Sequence, residues 1–463
     1  MIDCNLYREN EKIAKREVSK WQIAARYNID IFEKTGFPVR VDNISYLRQL
    51  IDTMNENTFD SYMRELNGLS EIELKILLAS LEQSMKFQQI HFPNDDIIIP
   101  FNSMMKSLTL YIKLSKIKFS TILDIGTGSG VFSFFINKKN NLKNYSQIEV
   151  CESFYMLQNY INSFVFKEQF DQKVLMKKST DINFFINKDN FGSTNYEEST
   201  VIKNNNLNKK CTQYPWWRLG ELLSNSIDYD IILSNANLLE FSNESLVDYL
   251  YLINKKLSSS GLFIFHCEGS HVNGNIESLF KDMYNANLAP LFIQLSSKIF
   301  IKNLELIENE KNILLAPASV SVEELLKDDN FTSRFDNIYV LDDYKVGNKL
   351  NGYKIISRES IKDLDIKQGL ILNNSFKLES ELQQFFNANN IINVLKKKSF
   401  FTKSFGLFIN SKNKLFQKYY HKENFKDYFN SKEEIVEDFF KTENDERRYY
   451  TKEDILSKLS LEN

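Results

Sequence analysis

Residues Thr121–Ile136 read TILDIGTGSGVFSFFI. An apolar run, Thr121–Ile125, carries one acid at Asp124. Three glycines then alternate, Gly126, Gly128 and Gly130, with Thr127 between the first two, before a second apolar run begins. Glycine takes the left-handed backbone of a tight turn without a Cβ clash and lets a ligand approach the main chain. A helix opening directly after such a turn points its unsatisfied N–H groups at that ligand. The reading is strand, tight loop, helix, with the site at the strand's end. The glycine spacing is G-x-G-x-G, which differs from the G-x-G-x-x-G of a pyrophosphate-binding loop.

Working outward, short apolar runs recur at Ile148–Cys151, Val174–Met176, Tyr229–Leu233 and Leu262–Phe265, each followed by a helical pattern. Strands alternating with helices predict a parallel sheet covered on both faces. Residues 186–210 are polar and Asn-rich and read as a surface insertion. Upstream, Ile13, Val18, Trp21 and Ile23 recur at near-helical spacing, and Ser70 stands ahead of Glu73 at capping-box spacing for a helix over Ser70–Phe87. Pro93 and Pro100 mark an extended entry before another helix over Met104–Leu114. After about residue 305 a second alternation starts, with strands at Asn312–Leu315, Asn337–Leu341 and Gly369–Leu372 and a helix at Val322–Lys327. The last seventy or so residues, rich in aromatics and Lys/Glu pairs, read as appended helices.

With Asp124 directly before the glycines, D-x-G-x-G-x-G resembles motif I of class I S-adenosylmethionine-dependent methyltransferases. The resemblance implies a Rossmann-like α/β sheet. It also implies cofactor contacts from Asp124, Gly126, Thr127, Gly128 and Gly130. An acid closing the second strand would accept the ribose hydroxyls; Glu152 is the expected residue and Glu149 its rival. Asp181 stands where an acid meets the adenine amino group, and Ser234, Asn235 and Asn237 leave the fourth strand. The expected division is a helical region over 1–88, a methyltransferase domain over 89–304, a module over 305–390 and a helical extension over 391–463. On a strand ending in Asp342-Asp343, the Gly347/Gly352 turn pair and the Lys-Ile-Ile-Ser that follows, the module resembles the small Rossmann-like unit appended to several sugar-modifying and C-methyl-transferring enzymes. Its loop reads Ala316-Pro317-Ala318-Ser319 where glycines would be needed, and proline offers no N–H to a phosphate, so it is degenerate.

A narrower resemblance lies in QYPWWRLGELL before the fourth strand and SNANLLEFSNESLVDYL after its start. On Pro215, Trp216, Trp217, Glu240 and Phe241 the chain is similar to the bacterial sugar O-methyltransferase family. Paired indoles suit the apolar face of a sugar ring, so Trp216, Trp217 and Asn237 are the expected substrate contacts; the alternative is that the two tryptophans are core anchors for the insertion. The amine-gripping N-P-P-Y of base-modifying relatives is replaced by Ser234-Asn235-Ala236-Asn237. Transfer to a hydroxyl needs a base near neutral pH; His271 and Glu240 lead, followed by His266 and Glu268. The spacing His266-x-Glu268-x-x-His271 is too unspecific to define a metal site, and none is expected.

The 463 residues carry 58 Lys+Arg against 61 Asp+Glu, a net charge of −3, which argues against a life on nucleic-acid backbones. No apolar stretch approaches the roughly 20 residues that span a bilayer. The charged start and four scattered cysteines suit the cytoplasm. The expected partner is a small-molecule or glycan acceptor, and the reading admits a homo-oligomer. Methylation of a secondary metabolite at O, N or C is the second reading. A catalytically idle binding or scaffold protein that kept the fold is the third.

Overall fold

The computed structural model describes residues 2–17, 37–52, 59–175, 209–235, 238, 241, 243–267, 276–294, 304–372, 376–395, 404–420 and 446–459. Among the described residues four α-helices come first: α1 (Cys4–Glu17), α2 (Phe59–Glu65), α3 (Glu71–His91) and α4 (Phe101–Ser115). The capping box forms as expected, with Ser70 Oγ accepting from the Glu73 N–H at 3.3 Å and Glu73 accepting from the Ser70 N–H at 2.9 Å. Two orphan N–H groups at the start of α3 are thereby satisfied. Val18, Trp21 and Ile23 lie outside the described residues, and Ile13 is exposed on α1.

The first alternation runs β1 (Thr121–Ile125), α5 (Ser133–Ile136), β2 (Asn144–Glu149), α6 (Glu152–Phe166), β3 (Phe170–Gln172), β4 (Cys211–Pro215), α7 (Leu219–Ser224), β5 (Tyr229–Asn235), α8 (Asn243–Lys256), β6 (Leu257–Cys267), α9 (Ile276–Asn285) and β7 (Leu288–Gln294). The second runs β8 (Asn312–Ala316), α10 (Val320–Leu325), α11 (Asp329–Thr332), β9 (Asn337–Leu341), β10 (Lys349–Leu350), β11 (Tyr353–Ile356), β12 (Gln368–Ile371), α12 (Phe376–Ala388) and β13 (Ile392–Asn393). β14 (Ser404–Asn410), α13 (Phe416–Tyr419) and α14 (Lys452–Leu456) complete the described elements.

Eight strands form the larger sheet in the order β3-β4-β2-β1-β5-β6-β14-β7. Every pairing is parallel except those of β14, which is antiparallel to both β6 and β7. β1 and β2 are buried along nearly their whole length, as both-face coverage requires. β2 is nonetheless polar. Its buried Ser146 donates to Asn144 at 2.7 Å and accepts from the Tyr229 hydroxyl at 2.9 Å, so it keeps its partners. A buried hydroxyl left unpaired would cost about 1–3 kcal/mol.

Three expectations are corrected here. The third strand is not Val174–Met176: β3 is a short edge strand at Phe170–Gln172, and the strand beside β2 is Cys211–Pro215. The second strand ends at Glu149 rather than Cys151, which instead precedes α6 as its N-cap. Residues 404–410, expected within appended helices, form a strand wedged between β6 and β7. The larger sheet therefore takes its last strand from beyond the second alternation.

The smaller sheet has the order β10-β11-β9-β8-β12-β13, parallel except for β10. Its two cores follow strand alternation: Ile313 and Leu315 pack with Val322, Val340 and Leu370 on one face, Leu314 and Ala316 with Leu382 and Phe386 on the other. Helix α12 packs against α2, where Glu379 pairs with Arg64. Residues 446–459 return to the amino-terminal helices: Arg448 bridges Leu69 antiparallel, and Arg447 pairs with Glu73 at 2.5 Å. Among the described residues no helix is long and apolar enough to cross a membrane, and no three metal-ligating side chains cluster.

Candidate active site

The loop after β1 is built as its glycines foretell. Gly126, Gly128 and Gly130 have φ of +64°, +63° and +77°, the left-handed region that side chains disfavour. Among the described residues, a Cβ on Gly128 would meet nothing within 4 Å, whereas one on Gly130 would lie 2.8 Å from Gln158 Cγ. Gly128 thus faces open space and Gly130 faces α6. The Gly126 N–H is tied to the Ile148 carbonyl at 2.8 Å.

Glu149, at the end of β2, fixes this loop. Its Oε2 accepts from the Gly128 N–H at 3.2 Å and from Gln158 Nε2 at 3.0 Å; its Oε1 accepts from the N–H groups of Val150 and Cys151 at 2.9 and 3.1 Å. Burial raises its pKa, opposed by these hydrogen bonds. Gln158 Nε2 also donates to the Gly128 carbonyl at 2.7 Å, so Gly128 is held at both ends of its peptide unit. The same polar face of α6 continues inward. Asn159 donates to Gln213 of β4 at 3.2 Å and accepts the Ile2 N–H at 3.2 Å, linking the glycine loop to the amino-terminal segment.

Asp124 is buried beneath the loop. Burial pushes its carboxyl up to about 7, assisted by the Glu149 charge and opposed by a hydrogen bond from the Tyr145 hydroxyl at 2.9 Å. From Tyr145 the chain of bonds runs through Gln147 and Asn162 to Ser133 at the start of α5. Asp124 supports the loop from below.

Glu152 stands elsewhere. It is the first residue of α6, 1% exposed, and its carboxylate is taken by two arginines. Arg8 reaches it through Nε at 2.9 and 3.2 Å and through Nη2 at 2.8 Å, and Arg40 Nη1 pairs with the other face. Arg8 also pairs with Asp42 at 2.7 Å and Arg40 with Glu11 at 2.7 Å. This network ties α1 and residues 40–42 to the start of α6. The acid beside the glycine loop is Glu149.

The indole expectation is corrected as well. Trp216 and Trp217 are 0% and 2% exposed, packed edge-on at 5.4 Å. Trp217 lies 4.9 Å from Tyr7 and donates its N–H to the Val174 carbonyl at 3.1 Å. Neither offers a face to a sugar ring, because the residues before them form β4, buried between β3 and β2, and lead them into the core.

At the carboxyl edge, Ser234 is buried and pairs in register with Ile125 on one side and Phe265 on the other. Asn235 is half-buried and in register with His266. The Asn235 Oδ1 and His266 Nδ1 atoms are 3.2 Å apart. His266 is in turn the register partner of Phe405 on β14, whose ring lies edge-on at 6.2 Å, and Phe405 is the partner of Gln294 on β7. Asp181, Asn237, Glu240, Glu268 and His271 fall outside the described residues. Sequence reading missed Gln158, Asn159 and Asn162. Three polar residues on one side of an otherwise apolar helix were the available signal.

Leaving aside the edge strand β3, the larger sheet reads third, second, first, fourth, fifth, seventh, sixth, with only the seventh strand antiparallel. This order, with the glycine loop closing the first strand, is the Rossmann-like fold of class I methyltransferases. No family model and no curated protein matches the sequence. Among solved structures the chain is similar to StiE O-MT residues 942–1257, at 8% identity and a TM-score of 0.32, covering 78% of this chain and 97% of that one. It is similar to a TehB-like SAM-dependent methyltransferase from Corynebacterium glutamicum at 11% identity and a TM-score of 0.26, covering 46% and 85%. The cyclase SpnF aligns at 11% identity and a TM-score of 0.27 over 43% of this chain and 63% of its own, under two thirds of its length. These likenesses concern the fold alone.

Proposed function

We propose that the chain is an S-adenosylmethionine-dependent methyltransferase whose acceptor is a hydroxyl of a sugar, as a nucleotide sugar or glycan precursor. The carrying observation is the glycine loop. Gly128 turns an open face outward, while Glu149 and Gln158 hold its peptide rigidly from behind. The residues fit the cofactor: a cradle that a side chain would fill at Gly128, and an acid, Glu149, beside it. When bound, the sulfonium supplies the methyl group and its own leaving group. The chain's part is to hold that end still, to exclude water and to orient the acceptor oxygen.

Glu149 holds the Gly128 peptide, both of its oxygens being taken by protein N–H donors, and the charge of Glu152 is matched by Arg8 and Arg40. Of the base candidates His271, Glu240, His266 and Glu268, His266 lies within the described residues, at the carboxyl edge of the sheet. The sugar assignment rests on the resemblance around Pro215 and Phe241, without help from the indoles. Fold by itself does not fix the acceptor.

The test is transfer of labelled methyl from S-adenosylmethionine into fractionated extract of the source cells, with Gly128→Arg as control. Label in nucleotide sugars or glycan, absent with the variant, is the expected result. Label confined to non-sugar metabolites moves the acceptor to the second reading. Binding of S-adenosylhomocysteine without transfer to any fraction favours an idle scaffold, and absence of binding overturns the cofactor assignment.

A further inference from the structure

From the bonding between α6 and β4 we infer that Gln213 and Asn159 are positioning residues for the glycine loop. Three side-chain amides in series, those of Asn159, Gln213 and Gln158, couple the backbone N–H of Ile2 to the Gly128 peptide. Docking of the amino-terminal segment and the shape of the loop therefore depend on each other. The consequence for cofactor affinity rests on the methyl-transfer reading; the coupling itself does not.

Every link of this relay has a direction. The Ile2 N–H donates to Asn159 Oδ1 at 3.2 Å. Asn159 Nδ2 donates to Gln213 Oε1 at 3.2 Å, and Gln213 Nε2 donates to Gln158 Oε1 at 3.3 Å. Gln158 Nε2 ends the relay on the Gly128 carbonyl at 2.7 Å and on Glu149 Oε2 at 3.0 Å. That same Glu149 oxygen accepts the Gly128 N–H at 3.2 Å.

Main-chain groups fix the orientation of all three amides, because an amide oxygen only accepts and an amide nitrogen only donates. The Ile2 N–H demands the Asn159 oxygen. The Tyr155 carbonyl, 2.8 Å from Gln213 Nε2, demands a nitrogen there, and the Gly128 carbonyl demands the nitrogen of Gln158. Turning over any one amide would set oxygen against oxygen or N–H against N–H at its contacts.

Gln158, Asn159 and Gln213 are all fully buried. A buried amide is unfavourable unless its groups are paired, and a paired network stiffens what it touches. Aliphatic side chains would fill the seam between α6 and β4 without that demand. What the amides add is a connection from Ile2 to a loop residue in the left-handed region, Gly128 at φ +63°. Ile2 leads directly into α1, which Arg8 pins to Glu152 at the start of the same helix α6.

The test uses the full chain without ligand. Its 14 glycines keep a 15N-glycine spectrum countable, and Gly128→Ala identifies the Gly128 peak. Exchange of the Gly128 amide should accelerate about tenfold in Gln213→Leu, the worth of one buried hydrogen bond, and by less in Asn159→Leu. The double variant should match Gln213→Leu alone, since a series is cut only once. Ser146→Ala removes buried hydrogen bonds of β2 outside the relay and should leave the Gly128 rate within about twofold. Additive acceleration in the double variant overturns the coupling, as does an unchanged rate in Gln213→Leu or an equal acceleration in Ser146→Ala.

A measurement on the wild type alone decides the matter where a variant does not fold. S-adenosylhomocysteine should slow hydrogen exchange over residues 2–10 by about fivefold or more, because coupling between two sites is reciprocal. Bound ligand with exchange there unaltered overturns the coupling. In the folded variants Gln213→Leu and Asn159→Leu, S-adenosylhomocysteine affinity should fall about fivefold; wild-type affinity beside a faster Gly128 amide overturns the consequence for the cofactor. A wild type that binds no S-adenosylhomocysteine overturns the cofactor reading, while the Gly128 rates still decide the coupling.

Discussion

Arg8 of the first helix grips Glu152 at the start of α6 through three hydrogen bonds of 2.8–3.2 Å, and Glu152 is 1% exposed while it does so. A carboxylate this deep needs its counter-charges, since an unpaired buried charge costs several kcal/mol. The ion pair ties the amino-terminal helix to Glu152, three residues beyond Glu149 in the chain. Val39, on the same amino-terminal region, accepts the Ser153 N–H at 3.0 Å and reinforces the seam.

Substituting Arg8 by Ala should therefore lower stability by about 2 kcal/mol, Arg40 remaining to hold Glu152. Hydrogen exchange over residues 4–17 should accelerate. Glu152→Ala should show the same loosening while S-adenosylhomocysteine still binds to the folded protein within about twofold. Glu149→Ala should lose that binding by at least about tenfold. Calorimetric titration of the two variants separates the acids. Lost affinity confined to Glu152→Ala would return the ribose role to that residue.

Asp124 gives a pH signature. Its carboxyl is raised from 3.8 to about 7 in the folded chain, chiefly by burial. Between those values the native state holds a proton that the unfolded state has released, so stability falls as pH rises through the window and levels off above it. At about 1.4 kcal/mol per pKa unit, the contribution lost between pH 5 and pH 8 is roughly 2–3 kcal/mol. Asp124→Asn keeps an acceptor for the Tyr145 hydroxyl and removes the titration. Urea unfolding at both pH values should show the variant gaining on wild type by that amount at pH 8. An unchanged difference would mean that Asp124 is charged throughout.

What the sequence disclosed was local. The strand at Thr121–Ile125, the glycine turn, the Ser70–Glu73 cap and the strand at Asn337–Leu341 depend on neighbours a few residues away, and each stands where its pattern put it. What it concealed depended on distant partners. β14 reads SFGLFIN and is apolar almost throughout because both its faces are covered, so it lacks the alternation that marks a half-buried strand. Trp216 and Trp217 look like a binding surface until the strand before them is recognised. On paper Glu152 ranks ahead of Glu149; the Glu149 bonds to Gly128 and Gln158, and the Glu152 pairs with Arg8 and Arg40, far away in sequence, reverse that order.

The origin of β14 carries a consequence for truncation. A chain ending at Leu304 keeps every residue of the expected methyltransferase domain but lacks the strand between β6 and β7. Two strands would then present unpaired edges with apolar faces, a template for aggregation. Such a chain should be insoluble or lack a cooperative thermal transition, whereas the full chain has one. A well-behaved fragment that binds S-adenosylhomocysteine as the full chain does would remove β14 from the sheet.

The glycine loop supplies the sharpest contrast, because two of its residues share a backbone conformation and differ in what they face. At φ of +63° and +77°, Gly128 and Gly130 would each impose about 1–2 kcal/mol of strain on an alanine. For Gly130→Ala there is also a collision, the new Cβ lying 2.8 Å from Gln158 Cγ, the side chain that holds Gly128 and Glu149. That variant should lose more stability, by about 1–3 kcal/mol, and should loosen the loop. Gly128→Ala meets no atom of the described residues within 4 Å. Its stability loss should stay near the backbone term, while S-adenosylhomocysteine affinity falls at least about tenfold, because the methyl projects into the ligand's space rather than into the fold. Denaturant unfolding and calorimetric titration of both variants read the two effects separately. Wild-type affinity in Gly128→Ala would mean that the open face of the loop is not where the cofactor lies.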